Sequence, residues 1–167
     1  MPKVNRIYVD TNVFILLFER RDELSNQLAK LFLIDRTGRE SLLATSELTL
    51  AELLVDPYRR NDDELIQRYD NWTITNDQLT VGPVDRDVLW YAAVLRARYN
   101  SLKLPDAIHL STAVGLRCSH VLTADRRLSD QYELTHHRYG MVKGPVRVDI
   151  LRPEIEVLKR LIEEAAQ

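Results

Sequence analysis

The chain has 167 residues, with 45% hydrophobic and 29% charged side chains and a formal net charge of −2. This length suits one domain with a sufficient core, and so balanced a charge does not by itself indicate a nucleic-acid-binding protein. Cys118 is the only cysteine, which excludes an intrachain disulfide, and no apolar run approaches the ~20 residues that span a membrane. With no recognisable signal peptide, we expect a cytoplasmic protein.

The first half of the chain alternates between strand and helix patterns. In chain order it is predicted as a strand, an interrupted helical run, a strand and two helices, at residues 6–10, 14–36, 41–45, 46–59 and 62–73. The helical run is expected to break near Arg21–Asp22. Ser46 is expected to cap the helix that follows it, and Pro57 to end that helix.

The second half continues the alternation. It is predicted as a strand with a turn, two helices, a strand, and a helix or turn, at residues 79–84, 85–99, 104–118, 120–125 and 125–132. Residues 133–152 are expected to be irregular or short strands, and a closing amphipathic helix is expected at about 153–166. We therefore expect one α/β domain over residues 1–167, with a parallel central sheet and helices on both faces.

Asp10 is the most conspicuous polar residue of this pattern. It follows the apolar run Ile7, Tyr8 and Val9, and a second apolar run begins at Val13. An ionised carboxylate in such surroundings is costly unless something compensates it. Because ligand sites of parallel sheets lie at the carboxyl ends of the strands, Asp10 is a candidate site residue.

Three further acids lie at the edges of the predicted core, and each has an ordinary structural explanation. Asp106 lies in the first turn of a predicted helix, where the helix dipole favours a carboxylate. Asp125 follows the strand HVLTA and could serve as a turn or cap residue. Glu52 interrupts an apolar stretch with Leu48 and Val55 on its own face, which disfavours a solvated position.

Taken together, the four acids indicate a cation site. Carboxylates that converge repel one another and raise each other's pKa values, and a bound divalent cation reverses this cost. A carboxylate set without histidine or cysteine favours Mg²⁺ or Mn²⁺ over zinc. Such ions activate water and stabilise a phosphoryl transition state, so we expect hydrolysis of a phosphodiester.

Four stretches carry a resemblance to a known family: VDTNVFI, LTLAELL, LPDAIHLSTA and LTADRRL. In this order, over about residues 5–130, the chain resembles the PIN-domain nucleases, especially the VapC-type toxins of prokaryotic toxin–antitoxin pairs. The resemblance implies a single PIN-like domain and a metal-dependent ribonuclease. It implies that the catalytic acids holding Mg²⁺ or Mn²⁺ are Asp10, Glu52, Asp106 and Asp125. Asp10 and Asp106 would be the most direct ligands, and the other two would act partly through water.

The same resemblance gives supporting roles to neighbours of the acids. Thr11 and Thr123 are expected to hydrogen-bond the acids or bound water, and Asn12 to position Asp10 and the turn that follows. Asn12 also stands where a haloacid-dehalogenase-type phosphatase would need a second aspartate, which disfavours that alternative.

Glu47 and His109 leave choices open. Glu47 lies in the same segment as Glu52, but it follows the expected cap Ser46 directly, where the helix dipole explains it. Glu52 matches the family motif and is preferred. His109 comes three residues after Asp106, so a role in the site is open, but a partly buried or solvated histidine is the expected interpretation.

The resemblance also implies partners: an RNA substrate that is single-stranded or looped, a small antitoxin protein, and a second copy of the chain in a homodimer. Arg126 and Arg127 are candidates for RNA phosphate contacts, although a solvated turn explains them equally well. The alternatives are a non-catalytic PIN-like module that binds RNA or protein, and an RNA-maturation nuclease outside any toxin system. The segment after Asp125 is longer than the family pattern.

Overall fold

The computed structural model describes residues 4–34 and 40–165. In chain order its elements are β1 (Ile7–Val9), α1 (Thr11–Glu19), α2 (Glu23–Phe32), β2 (Leu43–Ser46), α3 (Glu47–Leu53), α4 (Val55–Arg60), α5 (Asp63–Trp72), β3 (Leu79–Gly82), α6 (Arg86–Arg98), α7 (Leu104–Gly115), β4 (His120–Leu122), β5 (Gln131–Arg138), β6 (Met141–Leu151) and α8 (Ile155–Ala165). Residues 35–36 of the predicted helical run and residue 166 of the predicted closing helix lie outside the described residues.

A sheet with the strand order β3-β2-β1-β4-β6-β5 forms the centre of the described structure. Its first five strands in that order run parallel, and β5 pairs antiparallel with β6. Ile7 is level with both Leu43 and His120, and His120 is level with Asp149. The carboxyl ends of neighbouring strands therefore meet along one edge of the sheet. This arrangement confirms the predicted α/β fold with a mainly parallel central sheet.

Both faces of the sheet are covered by helices, as predicted. Adjacent residues of β1 point to opposite faces. Ile7 and Val9 belong to the core cluster formed with α1, α2, α5 and α8, whereas Tyr8 belongs to a second cluster formed with α6 and α7. All three side chains are fully buried, which explains why this strand has an unbroken apolar sequence.

Two of the predicted helical runs each break into two helices. The run after β1 breaks where predicted, because the Asp22 side chain accepts a hydrogen bond from the Ser25 N–H and caps α2. The prediction that Pro57 ends a helix is wrong. The break lies at Leu54, and Pro57 lies in the first turn of α4, where a backbone N–H has no helical partner to lose.

The secondary structure of residues 133–152 differs most from the prediction. Instead of irregular or short strands, they form most of a long hairpin of β5 and β6, joined by a turn at Tyr139–Gly140. Leu134 and Val148 are buried at the base of the hairpin, but residues 137–147 are all exposed. The distal strands therefore show no alternation of buried and exposed positions that a sequence pattern could reveal.

The closing helix α8 packs on the same face of the sheet as α1 and α2. Leu158 and Leu161 are buried there, and Ile162 and Ala165 are partly buried against the same core. This apolar stripe agrees with the predicted amphipathic helix. Among the described residues, no helix combines the length and the apolar character that crossing a membrane requires.

Candidate metal centre

The four acids predicted from the sequence come from four different segments. Asp10 follows β1 directly and is the N-cap of α1. Glu52 lies in the last turn of α3, Asp106 in the first turn of α7, and Asp125 three residues after β4. The Asp10 N–H donates to the carbonyl of Leu122 at 3.1 Å, which ties the end of β1 to the end of β4.

The carboxylate of Asp10 is compensated by three neighbouring donors. Its Oδ1 accepts from the Thr11 N–H at 2.7 Å, and its Oδ2 accepts from Asn12 Nδ2 at 2.5 Å and from Thr123 Oγ1 at 2.6 Å. Asn12 is itself fixed, because its Oδ1 accepts from the Ala124 N–H at 2.7 Å. These hydrogen bonds offset the cost of placing a carboxylate directly after a buried strand.

Glu52 is held by two side-chain donors that meet at one of its oxygens. The Thr11 hydroxyl and His109 Nε2, the latter at 3.0 Å, both hydrogen-bond to Oε2. Burial raises the pKa of Glu52, but the hydrogen bonds from His109 and Thr11 outweigh it, so the pKa is lowered overall. Glu47, the other acid of this segment, lies exposed in the first turn of α3.

His109 belongs to this cluster, a role that the sequence left open beside the expected partly buried or solvated histidine. Its side chain is buried, with Nδ1 2.6 Å from the Tyr8 hydroxyl and Nε2 3.7 Å from Asp10 Oδ1. Because Nε2 faces only carboxylate oxygens, we assign its proton there, and the Tyr8 hydroxyl then donates to Nδ1. The signal for this role was the spacing: His109 lies three residues after Asp106, on the same face of α7.

Asp106 is the least compensated of the four acids. No described residue donates a hydrogen bond to its half-buried carboxylate. Burial and the charges of Asp125 and Asp10 raise its pKa. The carboxylates of Asp106, Asp125 and Asp10 therefore interact electrostatically, and the positive charge of Arg127 offsets their repulsion only in part.

Asp125 is neutralised by Arg127, one of the two arginines that are candidates for RNA phosphate contacts. Its Oδ1 accepts from the backbone N–H and from Nε of Arg127, both at 2.9 Å. This contact lowers the pKa of Asp125 to about 2. The Arg127 side chain is 69% exposed, so solvent screens much of the ion pair. Arg126 is also exposed.

Arg152 organises the loop that carries Asp125, and sequence reasoning missed it. Its guanidinium donates to the carbonyls of Asp125 and Leu128, both at 2.7 Å, and to that of Thr123 at 3.4 Å. Arg152 follows β6, which pairs with β4, so the sheet brings it to this loop from distant sequence. Nothing in the chain between the two segments indicates this contact.

The donor set fits a hard divalent cation. Asp10, Glu52 and His109 each offer one potential metal-ligating atom, and these three atoms lie within 4.8 Å of one another. Because His109 Nε2 carries the proton donated to Glu52, its lone pair is not offered to an ion, and the available donors are carboxylate oxygens. Asp106 and Asp125 are not part of this group, but the charges of Asp125 and Asp10 both raise the pKa of Asp106.

A comparison with family models decides the classification. The model of the PIN domain matches residues 7–134. The chain belongs to the PIN domain family. This PIN domain is similar in structure to a toxin–antitoxin complex from Klebsiella pneumoniae, with 25% identity and a TM-score of 0.52 over 72% of this chain and 87% of the other.

Two further solved structures share the fold of this PIN domain. The toxin VapC20 of Mycobacterium tuberculosis, described as cleaving the sarcin–ricin loop, has 17% identity and a TM-score of 0.53 over 69% of this chain and 86% of its own. VapBC-1 of nontypeable Haemophilus influenzae has 16% identity and a TM-score of 0.53 over 74% and 89%. No curated protein sequence matches the chain. These structures confirm the predicted resemblance to the PIN fold of VapC-type proteins.

The matched part of the PIN domain contains the four acids and His109, and it ends at Leu134. Arg152, the distal part of the hairpin and α8 follow that part. The Asp125 loop is therefore held by a residue from outside the matched segment.

Proposed function

We propose that this PIN domain is a metal-dependent endoribonuclease and the toxin of a toxin–antitoxin pair. The observation that carries the proposal is the convergence of Asp10, Glu52 and His109, whose potential ligand atoms lie within 4.8 Å of one another, while burial and the like charges of Asp125 and Asp10 raise the pKa of Asp106. Carboxylate oxygens gathered in this way suit Mg²⁺ or Mn²⁺, which would offset the repulsion between the like charges.

The catalytic acids and metal ligands that we propose are Asp10, Glu52, Asp106 and Asp125. When bound, Mg²⁺ or Mn²⁺ supplies activation of an attacking water and stabilisation of charge at the phosphate. Asn12 and Thr123 fix Oδ2 of Asp10, which leaves Oδ1 directed toward Glu52 and His109. His109 and Thr11 orient Glu52 and keep it ionised.

Arg127 is suited to a second role in the same reaction. Its exposed guanidinium neutralises Asp125. Because guanidinium pairs equally well with phosphate oxygens, Arg127 can pass from Asp125 to an incoming RNA phosphate, with Arg126 beside it. RNA binding through these arginines is expected to weaken as salt concentration rises.

The toxin assignment is supported by the kind of proteins that share this structure. The Klebsiella pneumoniae structure is a toxin–antitoxin complex, and VapC20 is described as a toxin that cleaves the sarcin–ricin loop. We extend these properties to this chain as a proposal: a looped or single-stranded RNA substrate, an antitoxin partner, a homodimer and a cytoplasmic location. Exposed single-stranded segments suit an open acidic cluster because their backbone can enter it.

The test is RNA cleavage with added Mn²⁺ by the wild type, Asp10→Ala and Glu47→Gln. We expect activity to be lost in Asp10→Ala and kept in Glu47→Gln, since Glu47 lies exposed, outside the cluster. Equal cleavage by the wild type and Asp10→Ala would reject the assignment. Titration calorimetry with Mn²⁺ supplies a second readout, and absence of binding near neutral pH would favour a non-catalytic PIN-like module.

A further inference from the structure

The distal part of the β5–β6 hairpin, residues 136–147, lies beside α6 and is largely exposed. Residues 137–147 are all exposed, and strand pairing nevertheless continues to Arg138 and Met141 at the tip. This distal hairpin lies beyond the part of the chain that the PIN domain model matches. A two-stranded hairpin with so little burial contributes little to stability, so its side chains are free to serve a partner.

The distal hairpin is rich in positive charge. Residues 134–148 contain Arg138, Lys143 and Arg147 and no Asp or Glu, although the whole chain has a net charge of −2. Arg147 pairs with Asp149 at 2.7 Å, whereas Arg138 and Lys143 form no ion pair within the described part of the chain. These two unpaired cations favour a polyanionic partner.

Asp85 and Asp87 are the acids that line a cleft together with Lys143. The side chain of Asp85 is already engaged, because it accepts from the Val88 N–H at 3.0 Å and caps α6. Both acids keep their negative charge and offset Lys143 within the cleft, so the positive character of the hairpin is greatest at its tip, where Arg138 lies.

Aromatic rings lie beside the cations of the distal hairpin. The guanidinium carbon of Arg138 is 4.6 Å from the centroid of the Trp90 ring and 5.2 Å from that of Tyr139. Tyr139 is 87% exposed and has a φ of 51° in the turn. Asparagine and glycine adopt this conformation more readily, so the tyrosine ring is kept at the tip despite a conformational cost.

We propose that the distal hairpin binds a single-stranded segment of RNA, with bases stacked on Tyr139 and Trp90 and phosphates held by Arg138 and Lys143. Stacking on aromatic rings beside backbone-tracking cations is the usual chemistry of single-strand binding. The proposal rests on the proposed ribonuclease function, since it makes this surface a second contact for the substrate.

The hairpin lies away from the acids. Because β6 runs parallel to β4, Met141 points toward the amino ends of the strands, whereas Asp10 and Asp125 follow carboxyl ends. The ten residue steps from Met141 to Leu151 correspond to about 33 Å along the strand. A trinucleotide held by the acids is too short to span that distance, whereas a longer RNA can follow the surface between the two sites.

The experiment measures binding by fluorescence anisotropy, with a labelled single strand of about 20 nucleotides, longer than a single-strand site of typical size. EDTA prevents metal-dependent cleavage. The variants are Tyr139→Asn, which suits the positive φ of the turn, and Arg138→Ala/Lys143→Ala. The matched control is Lys30→Ala/Arg68→Ala, which removes two exposed cations elsewhere. Unchanged thermal unfolding confirms that each variant is folded.

We expect both hairpin variants to bind at least about fivefold more weakly than the wild type, as loss of a stacking or phosphate contact predicts. The double variant should also lower the slope of log affinity against log salt by about 0.7 for each cation lost. In cleavage assays the KM for the long RNA should rise with kcat unchanged, and cleavage of a trinucleotide should not change.

Equal RNA affinity for the hairpin variants and the control overturns the proposal. The binding measurement does not depend on catalysis. If the wild type never cleaves RNA but the hairpin variants bind RNA more weakly than the control, the nuclease function is rejected and the hairpin proposal is supported. If the variants keep their RNA affinity and instead no longer bind a co-expressed antitoxin, the hairpin is a protein-docking surface, and the proposal is again overturned.

Discussion

The acidic cluster has two halves that the fold treats differently. Asp10 and Glu52 accept hydrogen bonds from neutral donors and are held in place by them. Asp106 accepts none from the described residues, and Asp125 is held by the exposed guanidinium of Arg127. The difference teaches that hydrogen bonds hold the inner pair, Asp10 and Glu52, in place without a cation. The outer pair, Asp106 and Asp125, depends on positive charge brought to it.

Matched substitutions of Asp10 and Asp106 should show the largest contrast. In EDTA, Asp10→Asn should lower the free energy of unfolding by about 1–3 kcal/mol, because the amide keeps only one acceptor oxygen and leaves either the Thr11 N–H or the donors of Asn12 and Thr123 unpaired. Asp106→Asn should raise it by about 0.5–1 kcal/mol, since it removes an uncompensated charge. Urea unfolding measures both values.

Both substitutions should nevertheless reduce Mn²⁺ affinity in calorimetry by more than the ~10–100-fold that loss of an outer partner causes. Glu47→Gln, outside the cluster, should change neither the free energy of unfolding nor the affinity. Equal shifts of stability in the same direction for Asp10→Asn and Asp106→Asn would remove the distinction between the two halves.

His109 is the next test of the inner half. His109→Leu should weaken Mn²⁺ binding about tenfold, because Glu52 loses a donor and Tyr8 loses an acceptor. His109→Gln should restore part of the affinity, since its amide can donate to Glu52. Calorimetric titration of both variants checks this. Unchanged Mn²⁺ affinity in His109→Leu would contradict a positioning role.

The sequence predicts those parts of the site that are visible along one segment. Asp10 and Glu52 stand out because each interrupts an apolar run, and the strand–helix alternation predicts the sheet that gathers them. The role of His109 stayed open because a histidine on a buried helix face fits a core position equally well. Arg152 was missed for a different reason: its contacts with the Asp125 loop exist only once β6 pairs with β4.

Two arginines at the outer half should give opposite, few-fold effects on Mn²⁺ affinity. Arg127→Ala should raise the affinity, because it removes a competing cation from Asp125, and should change stability by less than about 1 kcal/mol. Arg152→Met should lower the affinity and cost about 1–3 kcal/mol, because carbonyls of the loop lose their donor. Parallel calorimetric and urea titrations measure these changes, and the same sign for both affinities would show that the two contacts are not distinct.

His120 extends the comparison to a second buried histidine. Its substitution is expected to have the smallest effect of those considered, a change in the pH dependence of stability. His109 has partners on both ring nitrogens, whereas His120 has the Ser119 hydroxyl on Nδ1 at 2.8 Å and no described partner on Nε2. Burial lowers the pKa of His120 below 6.5, although the negative charges of Asp149 and Glu164 act to raise it. Between the folded and unfolded pKa values the unfolded chain therefore binds more protons, so stability falls as the pH drops below about 6.5.

His120→Leu should flatten this pH dependence, because it removes the group that the fold keeps neutral. The stability difference between variant and wild type should change with pH by at most ~1.4 kcal/mol per unit, the limit for one proton. Urea unfolding in EDTA from about pH 7.5 to 5.5 measures it, and taking the difference cancels titration of the other histidines. Identical pH profiles would mean that His120 finds a partner for its second nitrogen when it is protonated.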